Sequence, residues 1–356
     1  MNRTTSQSQH GGAALIVTLM LFLAMALAAF AVNRHLVFEQ RSAANHARAA
    51  QSFEAAEAGL EWAQAQLNGT QRIGTDCKPS SDPAARSFRE RALSLDRGTG
   101  AVTANALQTS CVRSAVGWSC SCPASGPTTL SAPTGNVPAP AFMLQFRPGA
   151  RAGTVRINAS GCTGLAGECL PSSDSTADAT AHTEVTLALF AGLRTPPGAA
   201  LTPRDATRQT ADQFFAAAFG VDKKTWKSQS VVARLACGTD CNHAIGEAFA
   251  AGSTLIWIDG DLTLAGPLML GSIAHPVVIV ASGAARLDGS VTVVGAIYAA
   301  SVNLSDTGTI VQGAVISEGG YAGPASPDFR LDTDVLAALT RQTGSFARVS
   351  GSWRDF

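Results

Sequence analysis

The sequence from Ala13 to Val32 is AALIVTLMLFLAMALAAFAV, and Thr18 is its only polar residue. Twenty residues of helix span about 30 Å, which is the thickness of the hydrocarbon core of a bilayer. The run therefore predicts a transmembrane helix from Ala13 to Val32, with Val17 near its start.

The residues after the apolar run predict that the helix continues. From Asn33 to Leu67 the composition is rich in Ala, Glu, Gln, Leu and Arg, and only Gly59 interrupts it. Asn68 and Gly69 then provide a C-terminal stop. Apolar residues recur at steps of three and four in the second half, which predicts one narrow buried stripe. The stripe consists of Phe53, Ala56, Leu60, Ala63 and Leu67.

Two alternatives compete for this opening segment, a secretory signal peptide and a plain signal anchor. Ala29-Phe30-Ala31 fits an A-x-A cleavage site. However, the apolar run is longer than a signal core needs, and cleavage there would start the mature chain in mid-helix. A bare anchor does not account for the short polar segment MNRTTSQSQHGG, which ends at Gly12 directly before the run.

The junction GAALIV (12–17), the unbroken helix behind it and AAQSFEAAEAGL (49–60) resemble the start of type IV pilin-like proteins, most closely minor pilins of the PilX type. The resemblance implies that a prepilin peptidase cuts between Gly12 and Ala13, although Gly11 leaves the bond ambiguous by one residue. Position five of the mature chain is then Val17 instead of the usual Glu. Since Val needs no charged partner in hydrocarbon, this departure favours a minor pilin at a filament end.

The resemblance also implies partners and a location. The expected partners are other minor and major pilins through the N-terminal helix, the prepilin peptidase and the inner membrane, with a host or surface ligand left open. A single-pass inner-membrane protein with a periplasmic C-terminal region would later reach the pilus and the cell surface. In a pilin-like fold, the apolar stripe packs on an antiparallel sheet.

The composition argues against nucleic-acid binding and catalysis. The formal charge is zero, with 26 basic and 26 acidic residues, and no basic run occurs. The sequence contains no G-x-S-x-G, P-loop, H-E-x-x-H or G-x-G-x-x-G motif, and its six His residues are scattered. We therefore predict no catalytic residues, no cofactor and no metal site.

Eight cysteines follow the apolar run, and an even number in an oxidising periplasm favours disulfides. They are Cys77, Cys111, Cys120, Cys122, Cys162, Cys169, Cys237 and Cys241. The pairs Cys162–Cys169 and Cys237–Cys241 would close short loops, while the full connectivity stays open. Zinc binding by Cys120-x-Cys122, or by Cys237-x3-Cys241 with His243, is the alternative, but neither has the usual ligand spacing. A third possibility is that some or all of the cysteines are free thiols.

Apolar or alternating runs at 141–146, 154–157 and 183–190 predict strands in an irregular β region. The proline-rich stretch 122–140 predicts a surface loop, either a variable loop or a connector. RTPPGAALTP at 194–203 predicts an irregular boundary. A short helix over 210–219 carries Phe214, Phe215 and Phe219, either as core or as a docking surface.

Short β runs repeat in the C-terminal half. LIWIDGDLTLAG (255–266) aligns with VIVASGAARLDG (278–289) at a step of 23, and VTVVGAIYA (291–299) aligns with TIVQGAVIS (309–317) at a step of 18. Runs of this length, punctuated by Gly, predict a β-solenoid. A second resemblance to long PilX-like proteins lies in DGDL (259–262) and in the ending RVSGSWRDF (348–356). Residues 331–340 predict a last helix, opened by Asp332 or Thr333.

The aspartates of the repeats leave one rival function open. Asp259, Asp261 and Asp288 would be the candidates for Ca²⁺ binding, and together with Arg286 they would be the candidates for a membrane-anchored periplasmic β-helix enzyme that acts on polysaccharide. Aspartate next to Gly is also ordinary turn chemistry, and four such residues are too few to favour the enzyme.

The predicted fold class is α+β, mainly β: a long N-terminal transmembrane pilin-like helix packed on an antiparallel sheet, followed by a β-solenoid-like C-terminal domain. The expected segments are a prepilin leader at 1–12, the transmembrane and amphipathic helix at 13–69, a disulfide-bonded β region at 70–195, a linker with a short helix at 196–250, the repeats at 251–322, and a cap helix with a strand at 323–356. The predicted function is that of a minor pilin that initiates assembly or sits at the filament tip.

Overall fold

The structure is a computed structural model that describes residues 11–82, 84–105, 107–123, 128–133, 139–170, 179–237 and 241–356. The chain divides into two compact units, Met1–Gln51 and Ser52–Phe356. In the described part the α-helices are α1 Gly11–Asn68, α2 Phe88–Ala92, α3 Ala211–Phe219, α4 Lys223–Lys227, α5 Cys241–Ala250 and α6 Thr333–Arg341. A 3-10 turn covers Gly167–Cys169.

The strands, numbered in chain order, belong to four sheets. They are β1 Leu93–Leu95, β2 Val102–Ala104, β3 Thr109–Ser114, β4 Gly117–Ser121, β5 Ala141–Pro148, β6 Thr154–Cys162, β7 Thr180–Ala191, β8 Leu201–Pro203, β9 Val232–Leu235, β10 Leu255–Ile258, β11 Leu262–Ala265, β12 Leu268–Leu270, β13 Val277–Ala281, β14 Ala284–Asp288, β15 Val291–Ala299, β16 Ser301–Leu304, β17 Ile310–Ser317, β18 Tyr321–Ala322, β19 Asp328–Leu331, β20 Gly344–Arg348 and β21 Arg354–Asp355.

One sheet is antiparallel and runs in the order β20-β7-β6-β5-β3-β4, with β21 also paired to β7. The strands predicted at 141–146, 154–157 and 183–190 are confirmed as β5, β6 and β7; each is longer than its apolar run, and β6 extends to Cys162. The two C-terminal strands join this sheet through β7, although the linker and all the repeats lie between them in the chain. The last segment of the chain therefore completes a sheet that the middle of the chain began.

The repeats pair in parallel. Strands β10, β13, β15 and β17 are neighbours in a larger sheet, and β11, β14, β16 and β18 form a smaller one, so the chain alternates between the two sheets. Leu255 pairs with Val278 and Gly295 pairs with Gly313, which are the registers of the two sequence alignments. The internal repetition read from sequence therefore corresponds to strand pairing.

Both faces of the larger parallel sheet are buried, which explains its continuous apolar runs. Ile256 and Ile258 face the smaller sheet, whereas Leu255 and Trp257 face a cluster formed with α3, α4 and α6. The side chains of Phe214, Phe215 and Phe219 lie in that second cluster and are at most 7% exposed. The core interpretation of these phenylalanines is therefore confirmed.

Two short elements refine the sequence expectation. The composition of 194–203 predicts an irregular boundary, but Leu201–Pro203 forms β8, which pairs with β17. A proline fits there because it is the last residue of a three-residue strand.

The predicted last helix is present as α6, and the N-cap is Asp332, whose carboxylate accepts hydrogen bonds from the N–H groups of Asp334 and Val335.

Close backbone contact requires glycine where β15 and β17 pair. Gly313 has φ +137° and Gly295 has φ +153°. A Cβ atom on Gly313 would lie 1.9 Å from the carbonyl oxygen of Gly295, and a Cβ on Gly295 would lie 1.9 Å from that of Val277. Since a real Cβ cannot approach an oxygen this closely, the parallel stack depends on this column of glycines.

We expect Gly313→Ala to lower the free energy of unfolding by at least about 2 kcal/mol, because it adds both backbone strain and a clash with a backbone atom. Urea denaturation of the full chain in detergent would measure the loss. Gly260→Ala is the matched control, since Gly260 has φ +102° but nothing within 4 Å of its virtual Cβ. An equal loss in both variants would show that φ alone, and not the close contact, requires Gly313.

Candidate functional site: helix α1 and the C-terminal strands that contact it

The first half of α1 exposes an unusual amount of apolar surface. Every described side chain from Ala14 to Phe38 is exposed, and Phe22 and Phe30 are 75% and 69% exposed. The helix contains an 18-residue window with a mean hydropathy of 2.8, none of it buried, and by length and composition it can cross a membrane. Soluble surfaces rarely carry apolar patches of this size, so the segment is built for lipid or for other apolar helices.

The one polar side chain of this run is satisfied within the helix. The hydroxyl of Thr18 donates a hydrogen bond of 2.9 Å to the carbonyl oxygen of Leu15. No acidic residue lies in the first turn of α1, and the side chain of Val17 is 57% exposed. The run therefore brings no unsatisfied polar side chain into a hydrocarbon environment, where such a group would cost several kcal/mol.

The second half of α1 packs on the antiparallel sheet. Ala56, Leu60, Ala63 and Leu67 have no exposed surface and contact a cluster that includes Phe142, Ile157 and Leu187. Four members of the predicted stripe are thus core residues, and Phe53 at its start is half-buried. Fully burying a leucine contributes about 1.5–3 kcal/mol, so Leu60 and Leu67 alone hold the helix firmly.

Two glycines let the helix and the sheet approach each other closely. A Cβ on Gly161 of β6 would lie 2.0 Å from the carbonyl oxygen of Ser52 and 2.4 Å from the nitrogen of Ala56. A Cβ on Gly59 of α1 would lie 3.0 Å from the ring of Phe142. Gly59, which interrupts the helical composition in the sequence, is therefore explained by packing.

The C-terminal strands contact the polar side of the same helix segment. The side chain of Asn68 donates to the carbonyl oxygen of Phe346 at 2.9 Å and accepts from its N–H at 2.7 Å, as a strand partner would. Arg348 donates to Glu61 at 2.8 Å and to Gln64 at 3.0 Å. The last residue of α1 is thus joined to β20 by a reciprocal pair of hydrogen bonds.

Further along the C-terminal segment, the indole N–H of Trp353 donates to the carboxylate of Glu57 at 2.7 Å. The Trp353 ring also packs edge to face on Phe53, with 6.2 Å between centroids. The C-terminal segment therefore follows α1 from Phe53 to Asn68. From the sequence, Asn68 is predicted only to end the helix, and Arg348 and Trp353 belong only to the C-terminal stretch that resembles PilX-like proteins. Their contacts were not predicted, because residues that are far apart in the chain leave no local pattern when they pair.

Asn68→Asp should lower the free energy of unfolding by about 2 kcal/mol, because a carboxylate oxygen would replace the donor that faces the Phe346 carbonyl. Thermal unfolding at neutral pH would measure the change. Asn303→Asp is the control, since the Asn303 side chain makes no hydrogen bond to the residues that the structure describes, and its effect should stay within about 0.5 kcal/mol. Equal melting shifts in the two variants would contradict the proposed role of Asn68.

All eight cysteines are paired. The disulfides are Cys77–Cys122, Cys111–Cys120, Cys162–Cys169 and Cys237–Cys241. Since every sulfur is in a disulfide, none is available as a thiolate ligand, and the zinc alternative loses its ligands. His243, named with that alternative, instead lies 3.6 Å from Glu247 on α5. The two short loops expected from sequence, 162–169 and 237–241, are both closed.

The charged residues of the repeats form hydrogen bonds and ion pairs with other protein groups. Asp261 accepts a hydrogen bond of 2.8 Å from the N–H of Ala284 in the next repeat. Asp259 accepts from Lys227 and from the Trp257 indole, and these hydrogen bonds lower the pKa of its carboxyl below the ordinary value. Arg286 pairs with Asp288 at 2.8 Å. Within the described ranges, no group of three His, Cys, Asp or Glu side chains is placed to hold a metal ion.

The expected cleavage site lies at the start of α1. The backbones of Gly12 and Ala13 are helical, and most of the expected leader, residues 1–10, lies outside the described part of the chain. Nothing in the geometry tests which bond is cut, so the site stays a prediction.

A membrane-length helix that continues into the core of an antiparallel sheet defines the architecture of a pilin-like subunit. Comparison with known families agrees, because residues 11–61 match the family described as PilX N-terminal. The chain therefore carries the N-terminal domain of a PilX-type pilin, and the match ends before the first strand. No curated protein and no solved structure matches the chain.

Proposed function

We propose that this protein is a minor pilin of a type IV pilus that helps to initiate filament assembly or sits at the filament tip. The observation that carries the proposal is the PilX N-terminal match over residues 11–61, which coincides with an exposed apolar helix. The exposed segment would pack first against lipid and then against the helices of other minor and major pilins. Val17 supports a terminal position, because it lacks the carboxylate that would pair inside a filament.

The proposed location is the inner membrane, with the C-terminal region in the periplasm, followed by the pilus and the cell surface. Four disulfides in the region beyond α1 support an oxidising compartment for that region. A prepilin peptidase of the same membrane would remove residues 1–12 and leave Ala13 as the first residue.

We further propose that the repeats at 251–322 form a short β-solenoid. The alternation of the chain between two parallel sheets and the apolar residues enclosed between them support this organisation. In the proposed layout, the leader and helix (1–69) precede the disulfide-bonded β region (70–195), the linker (196–250) leads into the repeats, and the segment 323–356 returns to the antiparallel sheet. An adhesive role of the C-terminal part belongs to the same proposal.

We infer that the protein is structural and catalyses no reaction. The family of the N-terminal domain is structural, and the carboxylates of Asp259, Asp261 and Asp288 already accept hydrogen bonds from protein groups. No observation favours the alternative of a polysaccharide-cleaving enzyme, which would need free carboxylates facing a substrate cleft.

Co-expression with a prepilin peptidase should remove residues 1–12 from the chain, as read by mass spectrometry of the mature N-terminus. Gly12→Glu should block this processing, because the peptidase requires a small residue before the bond. Gly11→Glu is the matched control and should leave cleavage intact. A mature chain that starts at Val32 would instead indicate an ordinary signal peptide, and an unprocessed chain in every case would rule out the pilin assignment.

The filament role predicts a second result. Pili sheared from cells should contain this subunit in amounts far below the major pilin, and deletion of the gene should reduce the number of pili per cell. Quantitative mass spectrometry and electron microscopy would measure the two effects. Normal piliation without the protein, together with its absence from sheared filaments, would contradict an assembly role.

A further inference from the structure

A cleft of about 830 Å³ lies within the unit Ser52–Phe356. Its walls come from the segment after α1 (69–95), from the end of α5 and the loops of the parallel sheet (249–275), and from the residues that lead into and begin β20 (342–344). Its volume falls in the range of sites that hold small molecules. Nothing in the assembly role described above makes use of it.

Arginines dominate the charge of the cleft. Arg72 and Arg86 are both exposed, and their side chains have no hydrogen bond or ion pair with any residue the structure describes. The segments that carry them pair: the N–H of Ile73 donates to the carbonyl oxygen of Arg86 at 3.0 Å, and Arg72 and Ser87 form an antiparallel β-bridge. A guanidinium group without a protein partner is suited to bind an oxyanion.

A third arginine is fixed in place beside them. Arg89 is half-buried, and its Nε and Nη2 donate to the carbonyl oxygens of Leu67 and Gly344, each at 2.7 Å. Its guanidinium also lies over the Phe346 ring, 5.1 Å from the centroid. Burial lowers the pKa of Arg89 to about 10, so the group keeps its charge at neutral pH. This arginine is therefore a rigid positive charge at the wall of the cleft.

The cleft contains little negative charge, and the carboxylate that carries it already accepts hydrogen bonds. Glu90 is the one acidic residue among the described lining residues, and its carboxylate accepts from the N–H and the hydroxyl of Ser87 at 2.8 and 2.9 Å. His275 faces the same carboxylate at 3.9 Å. Three arginines against one glutamate give the cleft a positive charge in a chain whose formal charge is zero. Such a concave positive surface concentrates anions.

The rest of the lining favours a hydroxylated ligand. The hydroxyl groups of Thr70, Thr254 and Thr343 make no hydrogen bond to other described residues, and Phe249 adds an aromatic ring. Hydroxyl donors and acceptors combined with one aromatic surface suit the polar edges and apolar faces of a sugar ring. An anionic saccharide matches both the charge and the chemistry of the wall.

We propose that this cleft binds a small anionic saccharide, with its carboxylate or phosphate held by Arg72 or Arg86 and its ring near Phe249. Arg89 contributes charge from a fixed position. None of the lining residues belongs to the apolar run Ala13–Val32, so the site would serve recognition and not assembly.

Isothermal titration of the full chain in detergent micelles would test the proposal with D-glucuronate, glucose 6-phosphate, glucose and inorganic phosphate. At least one anionic sugar should bind saturably below about 10 mM, and glucose should bind at least about tenfold more weakly. The two anionic sugars distinguish a carboxylate from a phosphate ligand. Binding of inorganic phosphate as tight as that of glucose 6-phosphate, with no binding of glucuronate, would overturn the saccharide assignment.

The double variant Arg72→Gln/Arg86→Gln should weaken binding at least about tenfold, without a change in melting temperature, because neither side chain has a partner among the described residues of the fold. Arg208→Gln is the control, since Arg208 is exposed and pairs with Asp205 away from the cleft. Unchanged affinity in the double variant, or no saturable binding of either anionic sugar, would refute the site. Leader processing and recovery in pili would be unaffected by that outcome.

Discussion

The packing of one helix segment on one antiparallel sheet is the contact on which the structure depends. From Ser52 onward, α1 becomes a core element, and its apolar stripe lies against β5, β6 and β7. The approach is close because Gly161 and Gly59 remove the side chains that would hold the backbones apart. Because α1 is continuous, it links its apolar first half, whose exposure to water is unfavourable, to the antiparallel sheet on which its second half packs.

The end of the chain reinforces this contact. Asn68 pairs with the backbone of Phe346, Arg89 satisfies the carbonyl of Leu67 at the helix terminus, and Arg348 and Trp353 bind the acidic side of α1. The carbonyl groups at a helix terminus otherwise lack partners, so these side chains take the place of a conventional cap. Because β20 follows α6, and α6 packs on the parallel sheet, the C-terminal segment also joins the two β regions of the unit Ser52–Phe356.

Where those two regions meet, the packing is incomplete, and the cleft is the result. An interface built only to join the two regions would be lined with apolar side chains. Here the walls instead carry Arg72 and Arg86, which have no partners in the described part of the chain, and several hydroxyl groups. These charged and hydroxyl groups without protein partners among the described residues are the physical reason to propose a ligand there.

The sequence by itself determined the features that repeat over short distances. The apolar run, the stripe of α1 and the strands β5 to β7 each follow from a side-chain pattern along one segment. The registers of the repeats follow from the internal repetition of the sequence. The sequence also predicted the end of α1 at Asn68. Burial in the core was one of the two roles that it predicted for Phe214, Phe215 and Phe219. The very short strands, such as β8, were not, because so few residues carry too little periodicity.

Only the tertiary structure decided which distant segments meet. The pairing of Cys77 with Cys122, the contacts of Arg348 and Trp353 with α1, and the convergence of three arginines at one cleft each join parts of the chain that no local pattern connects. Hydrophobic periodicity shows which face of an element is buried, but it does not identify the partner. The partner is selected by shape, by close backbone approach and by hydrogen bonds, and these exist only once the chain has folded.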